Sequence, residues 1–163
     1  MLSRMSLAAH RTRTREGANM ATERIGGREV TVSVSPQLSV RRGRAAIEFY
    51  KEAFAAQEMY RVGGTDDHEE VVAQLSVGES TFWVADESPR HLNHSPESLG
   101  GGTVRMLLTV QDPDAVVQRA LAAGAEEVSA VDDRHGWRLG RIVDPFGHHW
   151  EIGKPLGPWP PTS

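Results

Sequence analysis

The stretch "AEEVSAV" (125–131) repeats the earlier stretch "AQEMYRV" (56–62), and this pair decides the fold. The turn at Gly147 follows the turn at Gly78 at the same interval along the chain, so a second landmark keeps the spacing. Internal repeats of constant spacing indicate a duplicated structural unit. The sequence therefore predicts two copies of one supersecondary motif.

Outward from these landmarks, each copy is predicted to run strand, helix, strand, strand, strand. The first copy comprises EVTVSVSPQLSV (29–40), RAAIEFYKEAF (44–54), QEMYRV (57–62), EVVAQLSV (70–77) and TFWVAD (81–86). The second comprises TVRMLLTV (103–110), DPDAVVQRALAAG (112–124), AEEVSAV (125–131), WRLGRIV (137–143) and HHWEIG (148–153). Alternating β-branched residues indicate the strands, and apolar residues at helical spacing indicate the helices. Val40 and Val110, which precede the two helices, are equivalent at nearly the same interval as the other landmarks.

The length of 163 residues fits one domain with flanking segments. The predicted organisation is an extension without structure (1–27), one domain (28–155) made of repeat one (29–86), a linker (87–102) and repeat two (103–153), and a proline-rich tail without structure (156–163). Residues 1–20 are rich in arginine, which leaves a targeting segment open as an alternative to an extension that begins at an upstream start codon.

The composition excludes several classes of function. The net charge is −4, so the chain has no overall positive field to attract nucleic acid. No apolar run approaches the roughly 18 residues of a membrane span, and the absence of cysteine excludes disulfides and thiolate chemistry. We therefore expect a cytosolic protein without nucleic-acid or membrane partners.

Two βαβββ units, with "AIEFYKEAF" (46–54) in the first and "DPFGHHWEIG" (144–153) closing the second, resemble the vicinal oxygen chelate superfamily. This superfamily includes glyoxalase I, bleomycin-resistance proteins and extradiol dioxygenases, and the quoted motifs are most similar to its PhnB-like branch. The resemblance implies an α+β fold in which tandem βαβββ repeats form a curved mixed sheet with a concave cup. It also implies a small-molecule ligand in the cup.

Strand alternation assigns residues to the cup, because successive side chains of a strand point to opposite faces. Apolar residues such as Trp150, Ile152, Met106 and Leu108 are expected to pack against the helices. The residues then predicted to contact a ligand are Ser35, Gln37, Val72, Gln74, Phe82, Arg105, Leu107, His149 and Glu151, together with Trp137 and Arg138 in a loop expected at the mouth of the cup. Val84 is expected to join the apolar wall of the cup.

The resemblance also implies four positions at which metal-using members carry ligands. These positions correspond to Ser35, Phe82, Arg105 and Glu151. Divalent metals require several imidazole, carboxylate or thiolate donors, whereas this set offers one carboxylate and a fixed cation. Gln37 and His149 are the neighbouring residues able to add donors. We therefore expect no metal and no other cofactor.

The leading hypothesis is a bacterial protein that binds a small polar or anionic organic ligand in its cup without a metal. Arg105 and Glu151 are expected to form an ion pair that is either structural or orients such a ligand. The alternative is a glyoxalase-type lyase or isomerase that depends on a metal or uses Glu151 as general base with His149 nearby. A third possibility is a partner-binding module without a small ligand.

A homodimer is also expected, since related proteins commonly complete their cups between two chains. The glycine-rich linker (87–102) would allow the two repeats to pair across chains. The sequence leaves open whether one chain closes its own cup.

Overall fold

The computed structural model describes residues 22–25, 28–66 and 69–160. Strands β1 (Thr22–Ile25) and β2 (Arg28–Thr31) form an antiparallel hairpin in which Thr22 pairs with Thr31. This hairpin belongs to a unit that ends at Val34, and a second compact unit begins at Ser35. The hairpin differs from the unstructured extension expected over residues 1–27, of which the other residues lie outside the described part of the chain.

In the second unit, each repeat forms one four-stranded mixed sheet with a helix against one face. Repeat one contains β3 (Gln37–Val40), α1 (Gly43–Phe54), β4 (Gln57–Gly63), β5 (Val71–Val77) and β6 (Ser80–Asp86). A 3-10 turn (Pro89–His91) and α2 (Pro96–Leu99) connect the repeats. Repeat two contains β7 (Arg105–Thr109), α3 (Pro113–Ala122), β8 (Glu126–Arg134), β9 (Trp137–Val143) and β10 (His149–Pro155).

The two sheets share one topology, which confirms the predicted duplication. The strand order is β3-β6-β5-β4 in the first sheet and β7-β10-β9-β8 in the second. In each sheet the first strand of the repeat runs parallel to the last, and the other neighbours are antiparallel. The expected α+β fold of tandem βαβββ repeats is therefore confirmed.

Helix α1 begins where the carboxylate of Asp86 holds two strands and the helix together. Asp86 accepts hydrogen bonds from the backbone N–H groups of Gly43 (2.8 Å) and Val71 (2.9 Å). A side chain at position 43 would not fit, because its Cβ would lie 2.2 Å from Cγ1 of Val71. The glycine at the helix start thus permits the close approach of α1 to its own sheet.

The core lies between the two repeats and is rich in aromatic rings. Tyr50 and Phe54 of α1 contact Trp150 of β10, with ring centroids 5.6 and 4.7 Å apart. Phe82 of β6 lies 5.9 Å from the same indole ring. Asp144, in the turn before β10, is buried and accepts hydrogen bonds from the Tyr50 hydroxyl (2.7 Å) and the Trp150 indole N–H (2.9 Å). The helix-covered faces of the two sheets therefore pack against each other.

The prediction of one strand over residues 29–40 is wrong. Residues 32–36 form neither helix nor strand, and the side chain of Val34 is 98% exposed. Pro36 lacks the backbone N–H that a strand ladder requires, so the strand that joins the first sheet starts only at Gln37.

The segment between the repeats is more ordered than the flexible linker expected over residues 87–102. The Glu87 carboxylate accepts hydrogen bonds from the Ser95 backbone N–H (2.9 Å) and the Ser98 hydroxyl (2.8 Å). These bonds hold α2, and the glycines at positions 100–102 are exposed beyond it. Helices able to span a membrane are absent from the described residues.

Candidate functional site

The face of the first sheet that lies opposite α1, here called the first open face, is identified by strand pairing. Gln74 of β5 pairs with Trp83 of β6 and with Tyr60 of β4, and Gln37 of β3 pairs with Trp83. Residues directly opposite each other on paired strands share a face. Val72 also lies on this face and is exposed. The predicted positions of Gln37, Val72 and Gln74 are therefore confirmed, although their contact with a ligand stays a prediction.

Phe82 does not lie on the first open face, and its predicted contact with a ligand is wrong. The ring is only 5% exposed and packs edge-on against Tyr50 of α1 at 5.3 Å. Val84 is fully buried on the same side of the strand, so it does not line the cup either. The residue that occupies the cup position of β6 is Trp83, which alternation along the sequence did not identify.

The face of the second sheet opposite α3, here called the second open face, carries the predicted polar residues. Arg105 pairs with His149 across β7 and β10, and Leu107 pairs with Glu151. Arg105 Nη1 donates a hydrogen bond of 2.6 Å to Glu151 Oε1, which confirms the expected ion pair. The opposite parity of β10, Trp150 and Ile152, is buried in the core as predicted.

A cavity of about 310 Å³ opens on this second open face. Its lining consists of Arg105, Ser129, Arg134, Leu139, Gly140, Arg141 and Glu151. Arg105 and Glu151 were expected in a ligand site, but Arg134 and Arg141 were not. Alternation along β9 could have placed Arg141 on the open face, because it is next to Ile142, which is buried on the other face.

Two buried polar atoms on the second open face lack a hydrogen-bond partner among the described residues. They are Nε of Arg141 and Nδ1 of His149. Buried polar groups in folded proteins are nearly always paired, so each unpaired atom calls for an explanation such as a bound ligand or water. Both atoms belong to the face that carries the Arg105–Glu151 pair.

Arg138 is turned away from the cup, and its predicted contact with a ligand is wrong. Its guanidinium forms a two-pronged pair with Asp114 of α3, through bonds of 2.7 and 2.6 Å, and a further bond of 2.9 Å to Asp133. The hydrogen bonds to Asp114 and then Asp133 raise the pKa of Arg138, and the guanidinium in turn lowers the pKa of Asp114. Arg138 therefore fastens α3 to the second sheet.

Trp137 and Ser35 lie at the margins of the two open faces. Trp137 follows the turn between β8 and β9, is half-buried, and packs edge-on against Trp159 at 5.2 Å. Ser35 is half-buried and its hydroxyl lies 2.9 Å from that of Thr81. Neither residue lines the cavity on the second open face.

A second groove, of about 340 Å³, lies between β3, the connecting segment and β7. Gln37, Leu38, Pro96, Met106 and His148 are among its lining residues. The His148 imidazole Nε2 lies 3.0 Å from the backbone carbonyl of Ser39 and so joins the second repeat to the first strand of repeat one. Most of the groove is formed by apolar side chains and glycines, without a cluster of charged groups.

The positions at which relatives would bind a metal do not form a suitable donor set here. Phe82 lies in the core, and Trp83, which takes its place as the equivalent of Glu151 in the other repeat, carries an indole that is not a metal ligand. Ser35 bonds to Thr81, and Arg105 directs its cation at Glu151, the one carboxylate of the set. Among residues 22–25, 28–66 and 69–160, clusters of three or more His, Asp or Glu side chains with metal-site geometry are absent. A guanidinium bonded to the carboxylate opposes binding of a cation at this point.

Each open face lies on the side of its sheet away from the aromatic core that joins the repeats. This arrangement follows from the core, in which Tyr50 and Phe54 of repeat one pack against Trp150 of repeat two. Because the helix-covered faces meet inside the molecule, each open face is turned away from that contact.

Comparisons with known proteins agree with this architecture. The family model described as "Glyoxalase-like domain" matches residues 29–153. An uncharacterized protein of Mycobacterium bovis is 43% identical over 131 residues, which cover 78% of this chain and 86% of that protein. The X-ray structure of a gene product from Arabidopsis thaliana superposes with a TM-score of 0.60 and 28% identity, over 77% of this chain and 100% of that chain. A glyoxalase/bleomycin resistance protein/dioxygenase family enzyme from Burkholderia phytofirmans shares the fold, with a TM-score of 0.58 and 20% identity over 74% of this chain and 95% of that chain.

Proposed function

Since the chain belongs to the glyoxalase-like domain family, we propose that it is a cytosolic bacterial protein that binds a small polar or anionic organic ligand without a metal ion. The ligand occupies the cavity on the second open face. Arg105 and Glu151, which line the cavity, contact it there, and Leu107 and His149, paired with them across β7 and β10, contact the part of the ligand that extends over the open face.

The observation that carries this proposal is the Arg105–Glu151 pair at the edge of the cavity. The 2.6 Å bond uses one N–H of the Arg105 guanidinium and one oxygen of Glu151, which leaves further donors and acceptors directed at the cavity. Charged groups that are partly fixed by each other can orient a polar ligand without a large loss of side-chain entropy. Leu107, exposed beside Glu151, supplies apolar contact for the body of the ligand.

The complete site is proposed to form in a homodimer. Each open face is uncovered in a single chain, and the first open face presents apolar side chains to solvent, including Tyr60 at 52% and Val62 at 55% exposure. When the second open face of one copy faces the first open face of another, the partner's Gln37, Val72 and Gln74 close the cavity. Twofold dimers are the commonest closed assembly, and one such dimer would form two equal sites.

A metal-free lyase or isomerase of the glyoxalase type is the second candidate. The specific observation that favours it is the buried Nδ1 of His149, which has no hydrogen-bond partner among the described residues and lies on the same face as Glu151, two residues before it. In such an enzyme, Glu151 would accept a proton and His149 would hydrogen-bond to the substrate. Turnover of α-ketoaldehyde adducts that is lost in both Glu151→Gln and His149→Ala separates this candidate from simple binding.

The proposed function is tested by a thermal-shift screen of organic acids, followed by calorimetric titration of any ligand found. A ligand at 100 times its dissociation constant stabilises the folded state by about 2.7 kcal/mol. Arg105→Ala is expected to weaken binding by more than about tenfold, or about 1.4 kcal/mol, and Arg105→Lys to restore part of it because an ammonium lacks the planar fork. Arg119→Ala, an exposed arginine on α3, is the matched control.

Equal affinity of wild type, Arg105→Ala and Arg105→Lys would remove Arg105 from the site. Zinc, nickel or manganese bound stoichiometrically to the purified protein and lost in Glu151→Ala would overturn the metal-free part of the proposal. Circular dichroism of each variant verifies that the fold is retained.

A further inference from the structure

We propose that the cavity on the second open face recognises a compact oxyanion group with two negative charges, of the phosphate monoester type, and that Arg141 is the principal residue that binds it. This inference rests on the proposed function for the position of the ligand. It adds the chemical class of the ligand and a binding residue that was not among those predicted from the sequence.

The cavity holds more positive than negative charge. Its lining includes the guanidinium groups of Arg105, Arg134 and Arg141, and Glu151 is the one carboxylate among the lining residues. One cation is therefore matched within the cavity and two are not. Like charges at short range repel one another, and an anion of charge −2 in their midst removes that repulsion.

Arg141 lies at the centre of this charge. Its Cα is paired with that of Glu151 on β10 and with that of Ser129 on β8, so the side chain rises from the middle of the sheet. Glu151 nevertheless bonds to Arg105, and within the described part of the chain the Arg141 side chain forms neither a hydrogen bond nor an ion pair. Its buried Nε–H therefore lacks an acceptor, and the fork of a guanidinium matches two oxygens of an oxyanion.

The two other arginines are held in place by one bond each. Arg105 donates to Glu151 at 2.6 Å, and Arg134 Nη2 donates to the backbone carbonyl of Ala130 at 3.1 Å. A guanidinium has five N–H donors, so each side chain is oriented while most of its donors stay available. Three partly oriented guanidinium groups around one cavity can donate to the several oxygens of a tetrahedral oxyanion. A carboxylate has only two oxygens and would accept fewer of these N–H donors.

The test compares two probes of the same shape and different charge, methyl phosphate and methyl sulfate, by calorimetric titration of the full chain at constant ionic strength. Because the second pKa of a phosphate monoester is about 6, methyl phosphate carries two charges at about pH 8 and methyl sulfate carries one. We expect methyl phosphate to bind at least about tenfold more tightly. At about pH 5 the singly charged form predominates, and this advantage should disappear.

Variants assign the effect to Arg141. Arg141→Gln should weaken methyl phosphate binding at least about tenfold, Arg141→Lys should restore part of it, and the control Arg119→Gln should bind like wild type. Inorganic phosphate is a third probe. If it binds more tightly than methyl phosphate, the site recognises the free ion; if methyl phosphate binds more tightly, the site recognises an ester. Equal affinity for methyl phosphate and methyl sulfate, or unchanged affinity in Arg141→Gln, would overturn the inference.

The two proposals fail separately. If Arg141→Gln does not fold, the comparison of the two probes on the wild-type chain and on Arg141→Lys still decides the inference. A singly charged organic acid that binds through Arg105, with no binding of methyl phosphate, would contradict the charge of the ligand and leave the proposed function standing. Absence of binding by every organic acid and every phosphate probe would contradict both.

Discussion

Tyr50 of the first repeat donates a 2.7 Å hydrogen bond to Asp144 of the second, inside the core that joins the two repeats. The same carboxylate accepts from the Trp150 indole at 2.9 Å and from the backbone N–H groups of Phe146 (3.0 Å) and His148 (2.9 Å). Four donors satisfy a carboxylate that is otherwise costly to bury. The turn that closes the second repeat is thereby tied to the helix of the first.

Tyr50→Phe should destabilise the protein by about 1–3 kcal/mol, because the buried Asp144 carboxylate loses one of its donors while the ring packing is kept. The measurement is urea unfolding, with an unchanged slope and a lower midpoint. Tyr60→Phe is the matched control, since this tyrosine is exposed on the first open face and should change the free energy of unfolding by less than about 0.5 kcal/mol. Equal effects of the two substitutions would contradict a structural role for the Tyr50–Asp144 bond.

The alkaline stability of the protein should also depend on Tyr50. Burial, and then the nearby Asp144 charge, raise the pKa of Tyr50 well above its ordinary value of 10.0. Above that ordinary value the unfolded chain releases the phenol proton while the folded chain retains it, so the free energy of unfolding falls as the pH rises. Urea midpoints measured from pH 8 upward should decline less steeply in Tyr50→Phe than in wild type.

Phe82 and Trp83 should respond oppositely to truncation, because the first lies in the core and the second on the first open face. Phe82→Ala should cost about 3–5 kcal/mol through the cavity it leaves. Trp83→Ala should cost less than half as much and should instead alter dimerisation or ligand binding. Urea unfolding of both variants measures the difference, and a larger loss for Trp83→Ala would contradict the register described here.

The second sheet was predictable from the sequence, and the first sheet less so, for a definite physical reason. In β10 only one parity, Trp150 and Ile152, is large and apolar, so alternation fixes which face is buried. The segment that forms β6 has aromatic residues at both parities, Phe82 and Trp83, so alternation alone does not fix its register. The constant spacing of the repeats predicted Phe82 as the equivalent of Glu151, whereas strand pairing shows that the equivalent residue is Trp83.

The spacing fails because the connections between equivalent strands differ in length, above all the one between the second and third strands of each repeat, where residues 64–70 separate β4 from β5 but only residues 135–136 separate β8 from β9. The longer connection before the last strand of the second repeat, residues 144–148 against residues 78–79 in the first, recovers only part of that difference. Pairing with the first strand shows that Trp83, and not Phe82, is equivalent to Glu151, so this interval is shorter than the one that the other landmarks keep. An error of one residue transfers a whole strand to the opposite face.

The bonding partners of the arginine side chains could not be predicted from the sequence. Arg138 and Arg141 stand on the same strand three residues apart, yet the first bonds to Asp114 of α3 and the second lines the cavity. Parity indicates the face of each side chain, but only the packing of α3 on the sheet brings Asp114 within reach of Arg138. Arg138 was therefore predicted in a loop at the mouth of the cup, whereas it lies in β9 and forms a structural ion pair with Asp114.

Acid should loosen the segment between the repeats through Glu87. The bonds from the Ser95 backbone N–H and the Ser98 hydroxyl lower the pKa of Glu87 from 4.5 to about 2. A lowered pKa in the folded state means that the stabilisation is complete above about pH 4.5 and is lost as the pH falls toward 2. Glu87→Gln should therefore flatten the acid limb of the stability profile, and Glu79→Gln, in the exposed turn between β5 and β6, should leave it unchanged.

The proposed dimer depends on apolar side chains that a single chain leaves in water. Val62 of β4 and Leu107 of β7 lie on the two open faces and are each 55% exposed. Val62→Asp and Leu107→Asp place a charge where two copies meet, and burial of an unpaired charge opposes association. Light scattering should show a dimer for wild type at micromolar concentration and a monomer for both variants. Leu92→Asp, in the connecting segment at 84% exposure, is the matched control and should remain dimeric. A wild-type monomer, or dimers in all three variants, would contradict assembly through the open faces, and a monomer produced only by Leu92→Asp would move the interface to the connecting segment.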